Sequence, residues 1–179
     1  VNDPYEVTAT CGTSSATADV VVCGISGIQY RRPGEAYQSV PIGASIFVPV
    51  NETVDFLASI TPSGATWPDD SPVWSGDIGV PGGEVSETGD DEIPVTFSAV
   101  SPASDSPYTL TAACGTSSAT ADVIVCQVEK IQYSLDEGET YEDAPVPPEI
   151  LHVKKGTSVR FMAVVEPSGA TWPDGKPVW

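Results

Sequence analysis

Basic side chains are scarce in this sequence. Seven Lys and Arg stand against twenty-five Asp and Glu, for a net charge of −18 at pH 7. Nucleic acid is excluded as a partner, because phosphates need Lys and Arg to neutralise them. Histidine is nearly absent, with His152 alone, so no His–Cys metal spacing exists. Neither a Gly-rich phosphate loop nor a nucleophile elbow is present. No apolar run approaches the length of a membrane helix, so no membrane span is expected. No segment keeps a helical period, no signal peptide is visible, and the sequence opens at Val1 rather than Met. The expectation is that a leader has been removed or that the chain is a piece of something longer.

What the chain does have is β-type. Hydrophobic residues make up 40%, enough for a core. The aliphatic residues lean to Val and Ile, with abundant Thr and Ser. Sixteen Gly and seventeen Pro are spread throughout, implying many turns.

The chain also repeats itself. "YEVTATCGTSSATADVVVC" at 5–23 returns as "YTLTAACGTSSATADVIVC" at 108–126, and "GIQY" ending at Tyr30 returns as "KIQY" ending at Tyr133. "TPSGATWPDDSPVW" at 61–74 returns as "EPSGATWPDGKPVW" at 166–179, with eleven of fourteen positions identical. The offset grows from 103 to 105, so two residues are inserted around "LDEGETYEDAPVPPE". A repeat of this length is a domain rather than a solenoid turn. The complete unit is 24–126. Residues 1–23 are the last two strands of a preceding unit, and 127–179 are the first half of a following one. Either the chain is an excerpt from a longer array, or its two ends complete each other between subunits. Against the second, nothing after Trp179 replaces the "IPVTFSAV" strand.

Alternation assigns faces. Tyr108, Leu110 and Ala112 share one face, as do Ala121, Val123 and Val125. Val54, Phe56 and Ala58 point inward, and so do Val95, Phe97 and Ala99. "SGIQYRR" and "PVW" add a first and a middle strand. About seven strands per unit, with turns roughly every ten residues, predict an all-β sandwich of two antiparallel sheets.

"SGATWP…PVW", then Tyr at the start of a late strand, then "TAACG" and "TADVIV", together resemble bacterial Ig-like repeats. The resemblance covers essentially the whole chain. It implies tandem Ig-like antiparallel β-sandwiches, one complete and two partial, of the kind found in large secreted, cell-surface or extracellular-matrix proteins. It also implies that Trp74 is the core tryptophan of the third strand and Tyr108 the tyrosine of the sixth. The cysteine spacing of antibody domains is missing, since no Cys precedes Trp74 within the complete unit.

Four cysteines recur two per unit: Cys11 and Cys23, Cys114 and Cys126. An acidic, sequon-bearing, Thr-rich array points to an oxidising compartment, where disulfides are the default. A Cys11–Cys23 bridge meets an obstacle. The hairpin turns near Gly12–Ser15, which leaves Cys23 on the order of 25 Å away at strand rise, whereas a disulfide needs Cα atoms within about 7 Å. In a sandwich, the last hairpin's tip lies at the end where the chain comes in. The expected inter-domain pair is therefore Cys23–Cys114, with Cys11 and Cys126 bonded to units outside this chain. A loop of about 90 residues is worth roughly 4–5 kcal/mol in the chain-entropy treatment. Four free buried thiols and the in-hairpin pair remain as alternatives.

Nothing suggests catalysis. The counterpart of His152 in the complete unit is Phe47, so His152 is assigned to a surface strand. The acids suggest calcium, a hard cation suited to oxygen ligands: Asp69 and Asp70 in "WPDD", Asp90, Asp91 and Glu92 in "TGDDEIP", and Asp136 and Glu137 in "LDEGETYED". The competing reading of each cluster is a solvated, solubilising surface. Asn51 opens the glycosylation-type sequon "NET", though its counterpart in the next copy is not Asn. No cofactor is required. Expected partners are neighbouring repeats or further copies of the chain, with divalent cations and glycans as candidates. The sequence thus predicts a non-enzymatic structural segment of an extracellular or cell-surface rod, filament or matrix. The alternative is an adhesin module that binds carbohydrate or a cell-surface partner.

Overall fold

The structure, a computed structural model, describes residues 4–68, 70–77, 84–173, 175, 177 and 179. Thirteen strands run in chain order among them: β1 (Tyr5–Cys11), β2 (Ser14–Val20), β3 (Gly24–Arg31), β4 (Gln38–Ser39), β5 (Ile46–Pro49), β6 (Thr53–Thr61), β7 (Val73–Asp77), β8 (Glu84–Thr88), β9 (Glu92–Thr96), β10 (Tyr108–Cys114), β11 (Ser117–Ser134), β12 (Glu142–Asp143) and β13 (Arg160–Glu166). No helix occurs among the described residues.

Two sheets enclose the core. One has the order β4-β3-β6-β9; the other runs β12-β11-β10-β7-β8, with β5 and β13 also on β11. Pairing is antiparallel except for β5, which lies parallel to β11 from Val123 to Cys126. The core holds Val54, Phe56, Trp74, Val95, Phe97, Leu110, Ala112 and Val123, all nearly or fully buried. The period-two patterns dictate this. Along β10, Tyr108, Leu110, Ala112 and Cys114 are buried while Thr109, Thr111 and Ala113 are not. Phe97 meets Phe56 edge-on at 6.3 Å and stacks with Tyr108 at 6.4 Å.

Several details depart from expectation. Among its described residues the 24–126 segment carries nine strand segments rather than seven, because the short β4 and β5 are separate edge pieces. Both hairpins turn on two residues, with Cys11 opposite Ser14 and Cys114 opposite Ser117. Ala99 is only half-buried, since β9 ends at Thr96. Ile124 and Cys126 are as buried as Val123 and Val125, so this stretch of β11 is covered on both faces. His152 is exposed and lies outside any strand. Its counterpart Phe47 sits on β5, which is a strand only because β11 pairs with it.

Candidate inter-repeat junctions

The near end of the sandwich gathers the start of β3, the β10–β11 hairpin tip and Thr66. Ser117, just past the tip, receives a hydrogen bond from Ile25 N at 3.0 Å and donates to Ile25 O at 3.3 Å. The two sheets are pinned together there. Gly24 permits it, for a Cβ at that position would meet Ser117 Oγ at 2.9 Å. Cys23 is half-buried, with its thiol 3.6 Å from the Thr66 carbonyl. Cys114 is buried opposite Ser117. All four cysteines are unpaired. The register separates the members of each hairpin pair. Cys114 ends β10 opposite Ser117, where β11 begins, and Cys126 lies about 30 Å farther along β11 at strand rise. Cys11 lies about 20 Å of paired strand from the Tyr5–Val20 rung, beyond which Cys23 follows.

At the far end, β11 does not stop at Cys126. It continues to Ser134 and pairs there with β13 and β12. One strand of eighteen residues therefore belongs to the sandwich in its first half and to the next repeat in its second. Ser101 holds the crossing point: its N–H donates to Val125 O at 2.9 Å and its Oγ accepts from Val125 N at 2.9 Å. Val50 N donates to Cys126 O, and the Cys126 thiol lies 3.5 Å from Val48 O. Burial pushes that thiol's pKa up. Arg32 and Glu52 form a bidentate ion pair close by, both largely shielded from solvent. The register of β11 shifts between Val128 and Lys130, as that of β3 does between Ile25 and Gly27. These positions are 103 residues apart, so the same bulge recurs in both copies.

Next to the bulged strands, arginine and tyrosine side chains gather at the first loop. In the first copy, Arg31 on β3 lies 4.6 Å from the centre of the Tyr37 ring and pairs with Asp55 and Glu92 at 2.9 Å. The Tyr37 hydroxyl is buried and has no hydrogen-bond partner among the described residues. Burial first, then nearby Glu92, push its pKa up to about 12. In the second copy Ser134 replaces Arg31 and Arg160 replaces Asp55. Arg160 and the Tyr141 hydroxyl now converge on Gly138.

The acidic residues expected to hold calcium are spread among other tasks. Glu92 pairs with Arg31. The backbone carbonyls of Asp90 and Asp91 accept from Trp74 Nε1 and Ala58 N, at 2.8 Å each. Asp70 is exposed with a positive φ, and Asp69 lies outside the described residues. Glu137 occupies a turn, also with positive φ. Among the described residues no group of three or more His, Cys, Asp or Glu side chains is placed to hold a metal ion. Asn51 is exposed in a turn, its N–H donating to Phe97 O.

Asp136 has the most defined setting. Its carboxylate accepts from Ser134 Oγ, Thr140 N and Thr140 Oγ1. These bonds, Ser134's first, hold its pKa well below the usual carboxylate range. A depressed folded value means stabilisation that is present above the ordinary carboxylate pKa of about 3.9 and is lost as pH falls toward the folded value. The amide resonance of Thr140 is therefore expected to hold its neutral-pH position down to about pH 3. An NMR titration with a midpoint near 4 would contradict this.

No protein-family model, curated protein or solved structure matches the chain. Sequence reasoning singled out the cysteines but missed Ser117, Ser101 and the Arg32–Glu52 pair. Ser117 had a signal, since it lies inside the ten residues copied verbatim. Ser101 had none, because its role depends on where β11 crosses.

Proposed function

We propose that this chain is a non-enzymatic structural segment of an extracellular or cell-surface rod, filament or matrix, built from tandem Ig-like sandwiches. One unit is complete at 24–126, and the flanking segments carry parts of its neighbours. One observation carries the mechanical part: β11 runs from one repeat into the next with no linker. Bending at such a junction must distort paired backbone rather than a free loop, so tension passes along a strand. The Ig-like part draws support from three features. Trp74 is fully buried on a middle strand. The Tyr108 hydroxyl reaches back to Val100 O at 3.0 Å. An early strand lies parallel to the last one.

The test is a flexible insertion. Five Gly/Ser residues between Cys126 and Gln127 are expected to turn a rod-like small-angle X-ray scattering profile into that of jointed bodies. Equal flexibility in the two proteins would count against the rod.

A second reading, an adhesin that binds carbohydrate, is favoured by one feature. An open cleft of about 500 Å³ is lined by Tyr30, Arg32, Glu35, Phe47 and Trp172 among others. Aromatic faces beside charged groups suit a sugar ring. Glycan-array binding that is lost in Trp172→Ala would favour this reading. Calcium-dependent assembly without sugar binding would favour the matrix protein.

A further inference from the structure

We infer that Cys23 and Cys114 form a redox-dependent clamp that ties the segment entering the sandwich to the tip of its last hairpin. Each cysteine is one step from the same contact. Cys23 precedes Gly24, whose backbone lies against Ser117, and Cys114 is the cross-strand partner of Ser117. Consecutive Cα atoms are about 3.8 Å apart, and facing residues in an antiparallel pair about 5.5 Å or less. The chain between the two sheets also starts and ends beside the two cysteines. Thr61, the last residue of β6, faces Gly24, and Val73, the first of β7, faces Ala113. The Cys23 thiol already leans on the Thr66 carbonyl. The remaining cysteines lie elsewhere: Cys126 at the far end and Cys11 at the exposed tip of the β1–β2 hairpin.

Exposure sets the order of events. Cys23 is half-buried and Cys114 is buried, so Cys23 meets a soluble oxidant first. With oxidised glutathione as the oxidant, the Cys23 thiolate attacks one glutathione sulfur and releases one glutathione thiolate, leaving a mixed disulfide. The Cys114 thiolate then attacks the Cys23 sulfur and releases the second glutathione thiolate. Two protein thiols are oxidised, one glutathione disulfide is reduced to two thiols, and two protons pass from protein to glutathione. The product closes a loop around nearly the whole sandwich and fixes the angle at which the preceding repeat joins it.

The test uses the 179-residue chain equilibrated with oxidised and reduced glutathione at pH 8, alkylated, and cleaved before aspartate. Cleavage before Asp3, Asp19, Asp55, Asp105, Asp122 and Asp136 puts each cysteine in its own peptide. The expected product joins peptide 19–54 to peptide 105–121, with Cys11 and Cys126 alkylated. Oxidation is expected to raise Tm by several degrees. Cys23→Ser and Cys114→Ser each abolish that rise, and Cys11→Ser keeps it. Should Cys114→Ser fail to fold, the partly exposed Cys23→Ser carries the comparison alone. A Cys11–Cys23 or Cys114–Cys126 peptide, or four alkylated thiols after oxidation, overturns the clamp. The clamp does not depend on the rod: a chain that never forms the bridge yet scatters as a stiff body defeats the clamp and leaves the rod reading intact.

Discussion

Replacing Trp74 with alanine is expected to cost the sandwich about 3–5 kcal/mol, the range for emptying a buried large aromatic site. Trp74 is fully buried on β7, opposite Ala112 on β10. The small partner makes room for the indole, so nothing nearby can expand into the space it leaves. Truncation also strips the Asp90 carbonyl of its 2.8 Å hydrogen bond from Nε1, adding the cost of a stranded polar group. Trp74→Phe keeps much of the volume and loses only the bond, so it should cost less. The chain carries its own control. Trp179 closes the second "PVW" and is 71% exposed, so Trp179→Ala should change stability by no more than about 0.5 kcal/mol. Urea unfolding followed by circular dichroism measures all three. Similar losses at Trp74 and Trp179 would contradict the burial described here.

Gly76→Ala is expected to weaken the β7–β10 seam by about 1–3 kcal/mol, the usual cost of forcing atoms into a packed interior. A Cβ there would lie 2.6 Å from Thr109 O and 3.0 Å from Leu110 Cα. Both are backbone atoms of the neighbouring strand, so no side-chain rotation relieves the clash. Gly27 on β3 is the matched comparison. A Cβ at Gly27 meets nothing within 4 Å, and the next copy carries Lys130 at that place. Gly27→Ala should be neutral or stabilising by up to about 0.5–1 kcal/mol, since glycine in a strand costs chain entropy. Denaturation midpoints of the two variants should move in opposite directions, or only that of Gly76→Ala should move. A loss at Gly27 equal to that at Gly76 would show that the effect is not steric.

Much of the fold was legible because alternation is a local property. Val54, Phe56 and Ala58 face one way in any strand, and the structure buries all three. The inward sets on β10 and β11 followed in the same way. The junctions were harder to read. Val21–Cys23 and Ile124–Cys126 are nearly the same three residues, yet the first lie outside any strand and the second run within β11. β5 pairs with 123–126, whereas among the described residues β2 pairs with β1 alone. The setting of the acidic clusters was not legible either. Charge density along the chain does not say whether carboxylates converge, and here Arg31 holds Glu92 while a serine and a threonine hold Asp136.

Taken alone, the sequence determined the β character, the repeat and its register, and which side of each strand is apolar. All three follow from residue type and spacing, which travel with the chain. Only the tertiary structure decided which apolar faces find cover. Tyr5 and Val7 are exposed at 68% and 57%, while Tyr108 and Leu110, at the matching positions of the second copy, are buried at 9% and 2%. It also decided that β11 passes unbroken between repeats and that Ser117 pins the two sheets beside Cys23 and Cys114. Burial and cross-strand pairing depend on what stands opposite a residue, and the partner is brought there only by the folded chain.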